Sequence, residues 1–189
     1  MIDVPMSEPR VGQLLVASRH LLDPNFVRTV VLIVQQDEGG VIGLVLNRPL
    51  ELTVAQACEP SAEEVADVDE KLSQGGPCPG PLMVLHSNQL VGGEAVIDGV
   101  RFTTEREDIR SLMEDGSGGS VRYFAGYSGW SPDQLENEIG QGAWLLASAS
   151  ADEVFGDTSP DSLWNKLTTR LTVGKWIDVE RMPEDPSVN

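Results

Sequence analysis

Apolar residues along the chain gather in short blocks separated by Gly, Pro and acidic residues, and the blocks predict strands more often than helices. Val30-Val31-Leu32-Ile33-Val34 is an unbroken, mostly β-branched run, the pattern of a strand buried on both faces. Asp37-Glu38-Gly39-Gly40 separates it from Val41-Ile42-Gly43-Leu44-Val45-Leu46. Two apolar runs around a short Gly-containing loop predict a hairpin, which makes this part of the β-structure antiparallel. Leu14–Ala17, Leu82–Leu85, Val121–Ala125 and Trp144–Ala147 predict further strands, and Glu94–Ile97 is expected to pair with Leu82–Leu85.

Helix starts announce themselves by capping chemistry. Thr53-Val54-Ala55-Gln56 and Thr104-Glu105-Arg106-Glu107 have the capping-box pattern, and Gly116 should close the second helix. Ser131-Pro132-Asp133-Gln134 offers Ser as N-cap and Pro at the first helical position, and Ser159-Pro160-Asp161 repeats that start ahead of Leu163, Leu167 and Leu171, one helical turn apart. Asp23-Pro24-Asn25-Phe26 predicts a one-turn helix that plants Phe26 in the core. Residues 59–71 are acidic and weakly periodic, a surface helix or loop. Gln74–Pro81 is too rich in Gly and Pro for a regular element. No internal repeat or linker appears. The mixture of hairpins and interspersed helices predicts the α+β class: a single compact domain over residues 1–189, built on one mixed, mainly antiparallel sheet, with loose termini at 1–10 and 183–189.

Charge narrows the partners. Thirteen Lys and Arg stand against 30 Asp and Glu, a net charge of −17. Such a field repels polyanions. Duplex DNA binding draws on clustered Lys and Arg, whereas the basic residues here scatter singly, as at Arg19, Arg28 and Arg48, so direct nucleic-acid binding is not expected. An anionic membrane surface is disfavoured on the same ground. The longest apolar runs are far shorter than a membrane span, and the N-terminus lacks the basic and apolar regions of a signal peptide. Cytoplasmic residence is the default expectation, with Cys58 and Cys78 reduced.

Candidate chemistry is sparse. Gly126-Tyr127-Ser128-Gly129-Trp130 follows a strand and precedes a helix, as a nucleophile elbow does. Yet the final Gly is replaced by Trp130, and no His follows Ser128. No catalytic residue is assigned. Cys58, Cys78, His20 and His86 have no zinc-ligand spacing, so no metal or other cofactor is expected. His86 ends a predicted strand, where it either carries a proton, donates to a ligand or bonds neighbouring backbone. Arg48, in Asn47-Arg48-Pro49, is delivered from the end of a core strand. It either pairs with a carboxylate, Asp23 or Glu136 being the candidates, or is aimed at an anion. Gly75-Gly76-Pro77 can present backbone N–H groups but lacks the Lys of a phosphate loop. The candidate ligand-binding set is Asn47, Arg48, Gly75, Gly76, His86, Tyr127 and Trp130, on strand-end loops expected to meet at one place.

Taken together, Gly12–Ala17, Asp23–Phe26, Gly43–Pro49, Gly75–Pro77, Leu85-His86, Gly126–Trp130, Gln134–Glu136, Glu138-Ile139 and Trp144 resemble, in order, the YqgE/AlgH family of bacterial proteins. Each piece is weak alone and the ordered set is specific. The resemblance implies a compact α+β fold with no assigned biochemical role and no catalytic residues to carry over; some members are labelled transcriptional regulators. The functional expectation is a non-enzymatic regulatory or binding protein whose partner is a protein or a small anion. The alternative is an enzyme that acts on a small anionic metabolite through Arg48 and His86.

Overall fold

The computed structural model describes residues 9–57, 70–114, 118–156 and 159–176. In chain order its elements are β1 (Gln13–Ala17), β2 (Val30–Asp37), β3 (Gly40–Val45), β4 (Pro49–Thr53), α1 (Val54–Ala57), β5 (Lys71–Gln74), β6 (Met83–His86), β7 (Glu94–Ile97), β8 (Val100–Thr103), α2 (Arg106–Glu114), β9 (Val121–Ala125), β10 (Ser128–Trp130), α3 (Gln134–Gly140), β11 (Trp144–Ser148), α4 (Ala151–Phe155) and α5 (Ser162–Trp176). The α+β class holds, with interspersed helices on mainly antiparallel β-structure. The strands divide into two sheets where the sequence predicts one. The first runs β10-β3-β2-β1-β11 and is antiparallel throughout. The second runs β4-β5-β9-β6-β8-β7, with β5 and β9 parallel.

The expected β2–β3 hairpin is present, turning at Asp37 and Gly40. Glu94–Ile97 does not pair with β6: β8 lies between them. The strand that displaces it follows an Asp98-Gly99 turn, in which Gly99 takes a φ of +73, the chemistry of a two-residue hairpin. Lys71–Gln74, for which the sequence predicts no strand, is a strand because it pairs with Val121–Ala125 across a long chain separation. Residues 58–69 and Gly116, and the expectations placed on them, lie outside the described residues.

One hydrophobic core spans both sheets. On β6 and β9, Met83, Leu85 and Phe124 face that shared core, while Val84 and Tyr123 face a smaller cluster with Ile109 and Leu112 of α2, the period-two alternation of a sheet covered on both faces. Val30–Val34 is buried along its whole length, as its pattern predicts. Leu163, Trp164 and Leu167 of α5 complete the shared core, against β1 and β11.

The first sheet curls until its edges meet. β10 and β11 are its two edge strands, yet the rings of Trp130 and Trp144 lie 5.9 Å apart, with Phe26 5.9 and 5.4 Å from them. One carboxylate oxygen, Glu138 Oε2, accepts both indole N–H groups, at 2.9 and 2.8 Å. Glu138 rides on α3, which connects these two edges. Asp23–Phe26 forms a hydrogen-bonded turn in place of the predicted one-turn helix, with Phe26 and Val27 N–H both bonded to the Asp23 carbonyl, and it sets a half-buried Phe26 against the core. Ser131-Pro132-Asp133 does not open α3 as predicted. Asp133 adopts a left-handed φ of 64, and the helix begins at Gln134, a conformation Asp tolerates better than most residues. Half of the capping box survives, since Gln134 Oε1 accepts the Ser131 N–H at 3.2 Å. The Thr53–Gln56 box is complete, with reciprocal bonds of 3.0 and 3.3 Å.

Candidate functional site

Gly75–Cys78 and Gly126–Ser128 meet where the second sheet joins β3 of the first. The Gly75 carbonyl accepts from Val45 N–H at 2.9 Å and from Ser128 Oγ at 3.1 Å, while its N–H donates to Ala125. Cys78 and Tyr127 exchange backbone bonds of 2.9 and 3.0 Å. A Cβ on Gly75 would lie 2.2 Å from the Gly126 carbonyl oxygen, and one on Gly76 would lie 2.3 Å from the Tyr127 carbonyl. The glycines therefore exist for close backbone approach. Ser128 is fully buried and bonded to a carbonyl, which is no position for a nucleophile.

Asn47 is also structural. Its buried side chain accepts from Val30 N–H at 2.9 Å and donates to the carbonyls of Arg28 and Pro160 at 2.8 and 2.6 Å. These bonds fasten the start of β2 and the entry to α5, and hold Arg28 at a left-handed φ of 55. Arg48 is different. Neither Asp23 nor Glu136 pairs with it. Among the described residues its guanidinium makes one bond, from Nη2 to the Val27 carbonyl at 2.7 Å. It lines a cleft of about 70 Å³ with Asn25, Gln74 and Gly76.

His86 does not join this cleft. The β6–β9 register sets Met83 beside Phe124 and His86 beside Val121, so His86 lies at the end of the second sheet opposite Gly126. Its ring is buried, with Nε2 2.9 Å from the Gly92 carbonyl oxygen. Burial lowers its pKa below the ordinary histidine value, against the opposing pull of the Gly92 carbonyl. The imidazole is thus neutral near pH 7 and held by backbone. Trp130 is buried and bonded to Glu138, whereas Tyr127 is half-buried at the sheet junction. Of the candidate set, Arg48 and Gly76 share the cleft, Gly75 and Asn47 adjoin it in the chain, and Tyr127 meets Gly76 through its backbone while lining a separate pocket with Trp130. Arg48 and His86 share no pocket.

Two features escape a linear reading. Arg122, the second residue of the Val121–Ala125 strand, is a largely buried cation. Its Nη1 donates to Val154 O at 2.7 Å, and its Nη2 to Leu46 O and Ser73 Oγ at 2.7 and 3.0 Å. Its guanidinium lies 5.0 Å from the Phe124 ring centroid. Burial pulls its pKa down to about 10, which still leaves it charged at neutral pH. It ties β9 to β5, to the β3–β4 connection and to α4. The signal for it was a charged residue inside an apolar strand. The second feature is that Arg19, Arg28 and Arg48, scattered in sequence, surround one loop: Arg19 and Arg28 line a pocket on one side of it, and Arg48 holds its Val27 carbonyl.

The protein-family description that matches this chain is AlgH-like, over residues 14–176. The chain belongs to the AlgH-like family. A UPF0301 protein of Chlorobaculum tepidum is 39% identical over 183 residues, covering 94% of this chain and 95% of the relative. A UPF0301 protein of Streptomyces avermitilis is 36% identical over 187 residues, covering 94% of each. Among solved structures, the AlgH protein from Pseudomonas aeruginosa superposes with a TM-score of 0.69 at 26% identity, covering 95% of this chain and 98% of that one. A Corynebacterium diphtheriae protein superposes with a TM-score of 0.66 at 27% identity, covering 86% of this chain and 87% of that one. The family is uncharacterised, and membership assigns no role to the residues above. Among the described residues no His, Cys, Asp or Glu cluster could hold a metal ion, with Cys58 lying outside them. No described helix is long and apolar enough to cross a membrane.

Proposed function

We propose that this AlgH-family protein works by binding rather than by catalysis, and that the Arg48 cleft takes one carboxylate-sized group. The group belongs either to a small anion or to an acidic side chain of a protein partner. The observation that carries this reading is the Arg48 guanidinium, which uses one donor on Val27 O and faces a cleft edged by the side chains of Asn25 and Gln74. A guanidinium presents several N–H donors in a fixed fork that matches a carboxylate. Water occupies about 30 Å³ per molecule in the liquid, so a cleft of about 70 Å³ suits a single anionic group. Whole small-molecule sites are larger, about 300–1,000 Å³. Arg48 also follows a core strand, and a rigid scaffold is where a recognition group belongs.

The arrangement of the polar side chains favours binding over catalysis. Ser128 has no histidine near it, and His86 sits at the far end of the second sheet. A regulatory role would then run through the bound partner. Three arginines, one of them paired with Asp161, fall short of the roughly six to ten phosphate contacts that strong duplex binding uses.

Amide NMR titration with sodium acetate, and separately with a short Asp-rich peptide, tests the reading in wild type and Arg48→Gln. Shifts at Asn25 and residues 74–76 that vanish in the variant are expected with at least one probe. Acetate alone indicates a small anion, and the peptide alone an acidic partner segment. Absence of shifts there with both, or persistence in Arg48→Gln, would overturn it.

A further inference from the structure

We infer that the loop between β1 and β2 forms a second site, independent of the Arg48 cleft, for a small carboxylate that carries an apolar body. A cavity of about 430 Å³ opens there, within the size range of small-molecule sites. Ser18 and Trp164 form its floor, Leu22 and Val27 its walls, and Arg19 and Arg28 its rim.

The groups a ligand can engage are the two exposed rim arginines. Ser18 is only 7% exposed, and its Oγ has no hydrogen-bond partner. Its backbone is satisfied by the Ala143 and Leu21 bonds, so the hydroxyl alone is left over. That oxygen is itself closed to solvent, so it belongs to the floor of the cavity and is no contact for the occupant. Arg28 is positioned 5.6 Å over the Trp164 ring. The Trp164 indole is itself fixed by its 2.7 Å bond to the Ala17 carbonyl. Arg28 meets Asp161 at 3.3 Å, but both side chains are about 60% exposed. An exposed pair of this kind is weak, and a bound anion displaces it readily. Arg19 is exposed at the mouth.

Charge and surface character together specify the occupant. In a chain of net charge −17, two arginines at one cavity mouth select an anion. A bare inorganic anion would leave the apolar lining unused. Leu22 is 80% exposed and Val27 37%, side by side with the Trp164 ring, and together they offer an apolar surface that only an apolar body covers. A carboxylate at the rim, with its tail along Leu22 and Val27, uses the two arginines and the apolar wall together.

The test is amide NMR titration of the full chain with sodium octanoate, 1-octanol and sodium acetate. Octanoate is expected to shift residues 18–22, 27–28 and 163–165, octanol to shift them far less, and acetate to leave them unmoved. Arg19→Glu is expected to weaken octanoate binding about tenfold or more, the loss that follows removal of one hydrogen bond to a charged group. Its amide spectrum elsewhere should match wild type. The proposal is overturned if octanol binds as tightly as octanoate, if Arg19→Glu binds it unchanged, or if octanoate shifts fall elsewhere. Acetate shifts at Asn25 and residues 74–76 report the Arg48 cleft separately, so either site can fail without the other.

Discussion

Residues 18–28 and the paired segments 75–78 and 126–127 are both irregular, both rich in turn-forming and polar residues, and both set at the ends of core strands. At the sheet junction the polar groups are consumed by the fold. The Gly75 carbonyl serves two donors, Ser128 is bonded inward, and the glycines sit where any side chain would strike backbone. In the β1–β2 loop the backbone is also bonded, yet Ser18 Oγ is unpartnered and the side chains of Arg19 and Leu22 face solvent. Residue types that look functional in a sequence, a Gly-Gly-Pro or a Gly-x-Ser-Gly, thus mark a packing seam here. The open chemistry lies on a loop without a motif. Closely approaching backbones restrict residue choice more tightly than an exposed pocket does, so a motif is the expected mark of a seam.

The sharpest way to break the comparison is a methyl group at the seam. Gly75→Ala places Cβ 2.2 Å from the Gly126 carbonyl oxygen and 2.9 Å from Leu44. It should cost about 3 kcal/mol or more, or prevent folding, because both neighbours are fixed by strand pairing. Gly142→Ala is the control. Its φ is +77 but nothing lies within 4 Å of the new Cβ, so only the backbone penalty of about 1–2 kcal/mol applies. Urea unfolding of the two variants measures the gap. Equal losses would mean the seam is not tight.

Asn47→Ala comes next. It strands the Val30 N–H and the Arg28 and Pro160 carbonyls in a buried place, an expected loss of about 2–4 kcal/mol in the same assay. A loss under about 1 kcal/mol would return Asn47 to the list of groups free to meet a ligand.

Arg48→Ala separates the neighbours in that dipeptide. A buried ion pair broken from one side costs about 3–5 kcal/mol. One hydrogen bond from a half-buried guanidinium to Val27 O is worth about 1 kcal/mol. The smaller figure is expected, together with loss of the acetate or peptide response. A drop of several kcal/mol would make Arg48 a fold residue like Asn47.

The local layers of the fold were legible in the chain. Val30–Val34 reads as a doubly buried strand because its apolar run is unbroken, and Thr53–Gln56 as a helix start because its cap is contained in four consecutive residues. What fails is non-local. Lys71–Gln74 has no strand composition and becomes β5 only by pairing with β9. Gly75 and Gly126 meet at the junction of the two sheets, a long-range contact that no short window shows. Val100–Thr103 was within reach, since Asp98-Gly99 is a hairpin turn signal. The candidate site was half legible. Strand-end loops did converge around Arg48, but period and spacing cannot tell which end of a sheet a strand-end residue occupies, and this misplaced His86. Nor can they show that Arg19 and Arg28 share a cavity, because that follows from the path of a turn.

The smallest effect on stability should come from Leu22→Ser, and for that reason it is the most discriminating change within the loop. Leu22 is 80% exposed, so its truncation removes almost no buried area, and stability should move by no more than about 0.5 kcal/mol. If the loop is only a connector, nothing else should change. If it is an amphipathic anion site, the variant keeps Arg19, Arg28 and Ser18 but loses part of its apolar wall. Octanoate affinity should then fall severalfold, since about 0.8 kcal/mol accompanies each buried methylene of the ligand that loses its cover. Shorter carboxylates, which do not reach the wall, should lose less. Urea unfolding and the octanoate titration on one preparation separate the alternatives. A large stability loss would show that Leu22 packs into the core, and unchanged octanoate affinity would show that its wall is not used.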